Sequence, residues 1–347
     1  MGVDADLSSS LIDQVRRGKP LRLVGGNTRA FLGRPVEGET LALAGHGGII
    51  DYDPKELVIT ARAGTLVCDL EALLAAQGQM LAFEPPVFGP SGTIGGMVAT
   101  GLSGPRRPFA GAMRDYVLGA RILDGRGDIL RFGGTVFKNV AGFDAFRLMV
   151  GAQGALGIIL DVSLRVVPIP RAETTLAFEL DSPTARAWVA RLMGKPGPLS
   201  GAVHDGNRLF LRISGGRASV SEARQSLGGE PQGDEVWTQF RNLTHPNFRK
   251  SSGLWRLSVP QTVPLPTLPG QITWDWGGSQ VWLATDDEGL DVWSLAQSVG
   301  GHATLYRGPR TAVFQPLPPA MLALHRRIKA ALDPKGLFNP GRLYEDL

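Results

Sequence analysis

The segment Phe88–Pro105 restricts the possible folds of this chain most strongly, since eighteen consecutive residues carry no charge and six of them are glycine. Ile94, Met97 and Val98 make it too apolar for a solvated linker, which is the alternative interpretation. Glycine lets a backbone approach a flat or phosphorylated ligand closely. The segment therefore predicts backbone packed against a ligand. Four hydroxyl side chains within it can donate or accept hydrogen bonds: Ser91, Thr93, Thr100 and Ser103.

A second glycine-rich loop follows an apolar run near the N-terminus. Leu21–Val24 predicts a strand that leads directly into Gly25, Gly26, Asn27 and Thr28. In such a loop successive backbone N–H groups can converge on an anion such as a phosphate, because no Cβ blocks its approach. A plain turn after a strand is the other interpretation of the same residues.

Turns and loops must carry much of this fold. Glycine (46) and proline (25) make up 71 of the 347 residues, about a fifth, against a typical share of about 12%. Apolar residues at 43% and charged residues at 20% are typical of a soluble globular protein and exclude disorder, collagen and coiled coil. The length predicts one large domain or two of ordinary size.

Charge and motifs exclude several classes of protein. Basic residues exceed acidic ones only by 36 to 32, and no run of five like charges occurs, so no nucleic-acid partner is expected. The dinucleotide, P-loop and serine-hydrolase motifs are absent from the sequence. Cys68 is the single cysteine, which excludes an internal disulfide and a Cys-based zinc or iron–sulfur site, and fits a reducing compartment. The histidines show no paired spacing, so no metal site is expected: His46, His204, His245, His302 and His325.

Two uncharged stretches are long enough to test as membrane spans, Pro85–Pro105 and Leu257–Trp274. Each holds four prolines, so neither would keep a helical backbone satisfied in lipid. The N-terminus also lacks the apolar core of a secretory signal. We therefore expect a cytoplasmic protein without direct membrane insertion.

The pattern of elements predicts the α+β class. Short β-like runs separated by glycine dominate residues 21–168, with one clear helix at Leu66–Gln77. Beyond residue 170, strands alternate with helices, and all seven tryptophans lie in Trp188–Trp293. Helices on one face of an antiparallel sheet satisfy this order, and a final helix is predicted at Pro319–Leu332. The predicted strands of the second half are Thr174–Leu180, Arg208–Ile213, Gln280–Ala284 and Ala303–Arg307.

In their order and spacing, four segments resemble flavoproteins of the vanillyl-alcohol-oxidase type, whose FAD-binding domain is also called PCMH-type. They are the strand followed by GGNT, then GPSGTIGGMVATGLSGP, then FKNVAGFDAFRLMVGAQGALGIILDVSLRVVP at Phe137–Pro168, and DPKGLFNPGRL at Asp333–Leu343. Within this family, GNTRAFLGR, TIGGMVATGLSGP and GGHATLYR resemble the FAD-binding subunit of bacterial glycolate oxidases. The resemblance implies three parts: a PCMH-type FAD-binding domain of two α+β subdomains at 1–171, a smaller α/β cap with an antiparallel sheet at 172–312, and a C-terminal helix and tail at 313–347 that returns to the FAD domain.

The resemblance also implies where FAD binds. The first glycine loop would hold the pyrophosphate, the second segment would run under the ribityl chain and the flavin ring, and Gly157 and Ile158 would pair with the adenine end. Lys138 matches a further family motif, although a solvated lysine is an equal alternative. The implied cofactor-binding residues are Val24, Gly25, Gly26, Asn27, Thr28, Ser91, Gly92, Thr93, Ile94, Gly95, Gly96, Ala99, Thr100, Gly101, Ser103, Gly104, Lys138, Gly157 and Ile158.

Two departures from the family pattern shape the expected chemistry. Relatives that attach FAD covalently use a histidine in or near the glycine loop, where this chain has Asn27, so we expect non-covalent FAD. The clustered histidines of the related catalytic subunit are also missing. Flavin oxidation of a 2-hydroxy acid needs a base and a cation for the carboxylate. His302 is a weak candidate for the base, and Arg307, Arg310 and Arg342 are weak candidates for the cation.

The resemblance therefore implies an FAD-binding subunit of a multi-subunit glycolate oxidase, an oxidoreductase acting on glycolate or a similar 2-hydroxy acid. Its expected partners are a catalytic flavin subunit and an iron–sulfur subunit. Any membrane association would be made through these partner subunits. Two other functions stay open: a self-sufficient FAD-dependent 2-hydroxy-acid dehydrogenase or oxidase, and a structural subunit that has lost its flavin. The scattered histidines predict that the isolated chain does not turn over glycolate.

Overall fold

The structure of the protein is a computed structural model that describes residues 4–134, 144–309 and 312–347. Lys138 and Arg310 lie outside these ranges. The helices are α1 Ser8–Arg16, α2 Val67–Ala76, α3 Ile94–Thr100, α4 Arg107–Ala110, α5 Ser182–Met193, α6 Arg217–Leu227, α7 Glu235–Arg241, α8 Val292–Ser298 and α9 Pro319–Leu332. Within the described ranges, no helix has both the length and the apolar character needed to cross a bilayer.

The strands are short, as the glycine-punctuated sequence predicted. They are β1 Leu21–Val24, β2 Glu39–Ala42, β3 Ile49–Asp53, β4 Val58–Arg62, β5 Gln79–Met80, β6 Val117–Leu123, β7 Ile129–Gly133, β8 Ile158–Arg165, β9 Val167–Pro168, β10 Ala172–Glu179, β11 Leu199–His204, β12 Arg208–Gly215, β13 Glu230–Gln232, β14 Gly253–Ser258, β15 Gln271–Asp275, β16 Gln280–Thr285 and β17 His302–Arg307.

The N-terminal half is built on an antiparallel sheet in the order β3-β4-β8-β6-β7 and a small parallel pair, β1-β2. Strand β8 is buried along nearly its whole length, because α2 and α3 cover one side of it and α1 with the C-terminal tail covers the other. Leu70 and Leu74 of α2 and Met97 of α3 pack into this core with exposures of 1% or less. The sheet therefore presents α3 beside the loop that follows β1.

The second half forms one antiparallel sheet in the order β13-β10-β12-β11-β15-β16-β14-β17. Helices α5, α6 and α8 cover one of its faces, as the alternation of strands and helices predicted, and bury Val189, Val220 and Ala296 there. The opposite face packs towards the N-terminal half through an aromatic cluster that includes Trp282 and Tyr306. The α+β class and the antiparallel second sheet are thus confirmed.

The C-terminal tail returns to the N-terminal half after α9. The ammonium group of Lys329 donates to Ala155 O at 2.6 Å, to Asp333 Oδ2 at 2.7 Å and to Phe338 O at 2.8 Å. Phe338 is fully buried and forms a bridge with Leu21 at the start of β1. The residues that follow Phe338 are therefore fixed beside the β1 loop.

Candidate functional site

Three cavities of about 80, 310 and 440 Å³ follow one another along α3. The first and second share Gly25, Thr93 and Gly96 among their lining residues, and the second and third share Thr100 and Gln153. We call this continuous depression the groove. It runs from the N-terminal sheet, past the β1 loop, to the face of the eight-stranded sheet.

The β1 loop supplies unsatisfied backbone donors to the groove. Among the described residues, none accepts a hydrogen bond from the N–H groups of Gly25, Gly26, Asn27 or Thr28. Asn27 adopts a left-handed conformation with φ +57°, which helps consecutive N–H groups to point the same way. All four residues line the 310 Å³ cavity. This is the arrangement expected of an anion-binding loop.

The glycines of this loop are required by its packing against the segment at 91–93. A Cβ on Gly26 would overlap Ser91 O, and a Cβ on Gly25 would clash with the hydroxyl of Thr93. The Ser91 hydroxyl donates to Gly26 O at 2.9 Å. The two glycine segments singled out in the sequence therefore support one another directly.

Helix α3 forms the floor of the groove and was not expected from the glycine-dense sequence. Thr93 caps it, since its hydroxyl accepts a hydrogen bond from Gly96 N. Gly96 and Ala99 face the first two cavities. A Cβ on Gly96 would make only ordinary contacts with its neighbours, at 3.4 Å from Thr93 Oγ1. The space above Gly96 is therefore kept free for something other than the protein's own packing.

Arg29 is a buried cation at this site that the sequence analysis missed. Its side chain donates to Pro86 O at 2.6 Å and to the Thr28 hydroxyl at 3.2 Å, yet it forms no salt bridge with a carboxylate in the described ranges. Its Nε has no partner among these residues, and only 7% of Arg29 is exposed. Burial lowers the pKa of Arg29 to about 10. An uncompensated guanidinium beside four free N–H groups fits a phosphorylated anion.

The tail of the chain joins the walls of the groove through Asn339. Its Nδ2 donates to Gln153 O at 2.7 Å, and its Oδ1 accepts from Leu23 N at 2.8 Å. Arg342 donates to Gln153 Oε1 at 3.2 Å and to Arg34 O at 2.7 Å. Arg342 therefore holds the loop after β1 and lines the 310 Å³ cavity beside it.

The predicted cofactor-binding residues divide into two groups in the structure. Those that line the groove are Val24, Gly25, Gly26, Asn27, Thr28, Thr93, Gly95, Gly96, Ala99, Thr100, Gly101 and Gly157. Those that do not are Ser91, Gly92, Ile94, Ser103, Gly104 and Ile158. Ile94 and Ile158 are fully buried in the core, while Ser103 and Gly104 line a separate cavity of about 20 Å³. Lys138 lies outside the described residues.

Of the four catalytic candidates, Arg310 lies outside the described residues, and the other three do not come together. His302 lies at the rim of the 440 Å³ cavity, whereas Arg342 belongs to the 310 Å³ cavity. Arg307 donates to the backbone carbonyls of Phe248, Ser251 and Ser252 and lines none of the three cavities. The arginine that lies beside His302 is Arg256, which the sequence analysis did not single out. No group of three potential metal ligands occurs among the described residues.

Comparison with known families supports a flavin site. The family described as "FAD binding domain" matches residues 4–133, and "FAD linked oxidases, C-terminal domain" matches residues 312–343. These two matches include the β1 loop, α3 and the tail residues Asn339 and Arg342.

A curated relative aligns with almost the whole chain. The chain is 45% identical to glycolate oxidase subunit GlcE of Escherichia coli (strain K12), with 99% of each chain covered. It is 34% identical to glycolate oxidase subunit GlcD of Bacillus subtilis (strain 168), over 47% of this chain and 33% of GlcD. It is also 34% identical to D-lactate dehydrogenase of Anaerostipes hadrus, over 42% of this chain and 30% of that enzyme.

Solved structures share the fold at low sequence identity. One structure of alkyldihydroxyacetonephosphate synthase aligns with a TM-score of 0.69 at 16% identity, covering 96% of this chain and 75% of the synthase. A second crystal form of the synthase gives a TM-score of 0.66.

Proposed function

Since the chain belongs to the family of FAD-linked oxidoreductases that includes glycolate oxidase subunit GlcE, we propose that it is the FAD-binding subunit of a glycolate oxidase. The complex oxidises glycolate or a similar 2-hydroxy acid to the 2-oxo acid. The proposal rests on the 45% identity to GlcE over the whole chain. It is supported by the groove, whose backbone N–H donors at residues 25–28 suit a diphosphate. Two relatives that match less than half of this chain, GlcD and a D-lactate dehydrogenase, are named for substrates of the same class.

The residues of the groove fit FAD. The N–H groups of the β1 loop and the guanidinium of Arg29 would hold the pyrophosphate, and α3 with Gly96 and Ala99 would lie against the middle of the cofactor. When bound, FAD supplies an acceptor for the hydride of a 2-hydroxy acid. We propose that the FAD is bound non-covalently, which is supported by the lining of the groove: among the described residues, His302 is the one histidine that lines it, and Cys68 does not.

The proposed partners follow from what a reduced flavin requires. We propose that a subunit related to GlcD belongs to the same complex, since a GlcD protein is a relative over 47% of this chain. We also propose an iron–sulfur subunit, because electrons must leave the flavin and clusters are held by several cysteine thiolates. This chain has one cysteine, so it is unable to hold such a cluster itself.

We propose the division into an FAD-binding domain at 1–171, a cap at 172–312 and a returning tail at 313–347. Strand β10 begins the second sheet at Ala172, and the Lys329 contacts place the tail on the N-terminal half, which supports these limits. A cytoplasmic location is proposed with them, with any membrane association made through the partner subunits. The single cysteine suits a reducing compartment.

One observation favours a second candidate, the self-sufficient dehydrogenase. Arg256 and His302 line the same cavity, so a cation and a base lie together where the sequence indicated only scattered residues. Partial burial of the His302 ring and the neighbouring Arg256 charge lower the pKa of His302, which leaves the ring neutral near pH 7. A neutral imidazole can accept a proton. The structural subunit without flavin has no such support, because the groove retains its free donors.

Dye reduction separates these candidates. The chain is purified alone and after coexpression with the two partner subunits, each sample is loaded with FAD, and reduction of an artificial electron acceptor by glycolate is followed. The subunit proposal predicts turnover only in the coexpressed sample. Turnover of similar rate by the isolated chain, lost on His302→Ala, would favour the self-sufficient enzyme.

A further inference from the structure

The face of the eight-stranded sheet that meets the groove carries a polar cluster beside the aromatic cluster of Trp282 and Tyr306. Arg256 on β14 pairs in register with Trp282 on β16 and with Thr304 on β17. Side chains alternate along a strand, so Arg256, Thr304, His302 and Tyr306 point to the groove. All four line the 440 Å³ cavity, whose opposite wall includes Thr100 and Gly101 at the end of α3.

The opposite face of the same strands shows that this polarity is not a general property of the sheet. Leu257 and Leu283 point away from the groove and are almost completely buried under α5 and α8. A charged residue at position 256 therefore occupies a site where the neighbouring strands present mostly aromatic side chains, such as Trp282.

Arg256 has unused hydrogen-bonding capacity. One of its Nη atoms donates to the Tyr306 hydroxyl at 3.1 Å, which fixes the guanidinium at the wall of the cavity. No described carboxylate lies within salt-bridge distance of Arg256. A guanidinium carries five N–H donors in a planar fork that matches a carboxylate. Most of this fork is free for a ligand.

One acidic residue, Asp275, lines a small cavity together with Arg256, and its carboxylate is hydrogen-bonded to another side chain. Asp275 is buried at 1% exposure, and its Oδ1 accepts from Gln280 Nε2 at 2.7 Å. Burial raises the pKa of Asp275 to about 7, so a substantial part of this carboxyl is neutral near physiological pH. Its charge therefore compensates Arg256 only in part.

We propose that the 440 Å³ cavity binds a small carboxylate, with Arg256 as the cation that holds it and Tyr306 as the residue that positions Arg256. The inference rests on the proposed function, because the groove would bring the flavin to the same wall. A cavity of this size suits a small organic acid at the end of a larger cofactor. The site would let this subunit bind a 2-hydroxy acid itself.

Calorimetric titration with oxalate tests this proposal, because oxalate is a small carboxylate that binds without being oxidised. The wild-type chain, Arg256→Met, Arg256→Lys and Tyr306→Phe are compared, with Arg224→Met as the control on the exposed face of α6. Each protein is titrated without flavin and after loading with FAD, and its FAD content and thermal unfolding are recorded. Glycolamide, which is neutral, serves as the ligand control.

The expected result is binding of oxalate but not glycolamide by the wild-type chain, and affinity at least about tenfold weaker in Arg256→Met. Arg256→Lys and Tyr306→Phe should be weaker by about three- to tenfold, since Lys lacks the fork and Phe frees the guanidinium. Arg224→Met should match the wild type, and every variant should keep its FAD. Unchanged oxalate affinity in Arg256→Lys, or no binding by the wild type, overturns the proposal.

Loss of FAD from Arg256→Met also overturns it, because Arg256 would then act on the cofactor. A wild-type chain that takes up no FAD contradicts the proposed function alone, and the titration of the flavin-free chain still decides the role of Arg256. If Arg256→Met does not fold, Arg256→Lys and Tyr306→Phe decide the question.

Discussion

The guanidinium of Arg212 donates to both carboxylate oxygens of Glu84, at 2.7 and 3.0 Å, and so joins the eight-stranded sheet to the N-terminal half. The same carboxylate accepts from Arg106 N at 2.8 Å, and Arg106 continues the network to Glu173. Glu84 and Arg212 are largely buried. This charged cluster, together with the Arg241–Glu71 ion pair, therefore helps to fix the cap sheet on the N-terminal half.

Glu84→Gln should lower the free energy of unfolding at pH 7 by about 3 kcal/mol, because it leaves the buried Arg212 without a carboxylate and Arg106 with Glu173 alone. Burial opposes ionisation of Glu84, but Arg212 and Arg106 outweigh it and hold the pKa of Glu84 below its usual value. Stability from this group is thus present above the unfolded pKa and is lost as the pH falls through the folded pKa.

Urea unfolding of wild type and Glu84→Gln from pH 7 to about pH 2.5 measures both effects. The difference between them should shrink as the solution becomes acidic. Glu345→Gln is the control, because the Glu345 side chain that contacts Arg34 is 85% exposed. This substitution should change the free energy of unfolding by less than about 1 kcal/mol. A difference between wild type and Glu84→Gln that stays constant over the pH range contradicts this account of Glu84.

Arg29→Met should weaken FAD binding by one to two orders of magnitude, since charge-assisted hydrogen bonds to a diphosphate are among the strongest in proteins. Arg29→Lys keeps a single charge and should lie between Arg29→Met and the wild type. Quenching of FAD fluorescence during titration gives the affinities, with Arg224→Met as the exposed control. Equal FAD affinity of Arg29→Met and the wild type would place the pyrophosphate elsewhere.

Gly96→Val should fold and yet purify without flavin. A Cβ at Gly96 meets no backbone and lies 4.0 Å from Arg29 Nη1, so the branched side chain would fill the groove rather than disturb the core. The measurements are far-UV circular dichroism and the absorption spectrum of the purified protein. Gly197→Val is the matched control, because nothing lies within 4 Å of a Cβ there. A yellow Gly96→Val protein with a normal FAD content would move the cofactor away from α3.

The sequence predicted helices and strands correctly where apolar residues recur at a regular spacing. The predicted helix at Leu66–Gln77 is α2 Val67–Ala76, and the predicted strand at Arg208–Ile213 is β12 Arg208–Gly215. Helix α3 was missed because glycine at positions 95 and 96 disfavours a helix in isolation. The helix forms because its apolar face is buried against the sheet. The helical spacing of Ile94, Met97 and Val98 was the sequence signal for this burial.

The site was predictable only where its residues are consecutive. The loop Gly25–Thr28 acts through backbone N–H groups, so its glycines were visible in the sequence. Arg29 follows directly, but only the structure shows that it is buried without a carboxylate. Arg256 and Tyr306 are fifty residues apart, and the pairing of β14 with β17 that joins them is not readable from one sequence.

The central claim is that the groove binds FAD without a covalent link, and the flavin content of the purified chain tests it most directly. The chain is saturated with FAD, freed of excess cofactor, and denatured by acid or heat; flavin is then measured in the supernatant and in the precipitate. The account predicts about one FAD for each chain, all of it in the supernatant, because the loop places Asn27 where covalent relatives have a histidine. A chain that retains no FAD, or flavin that stays with the precipitate, would contradict it.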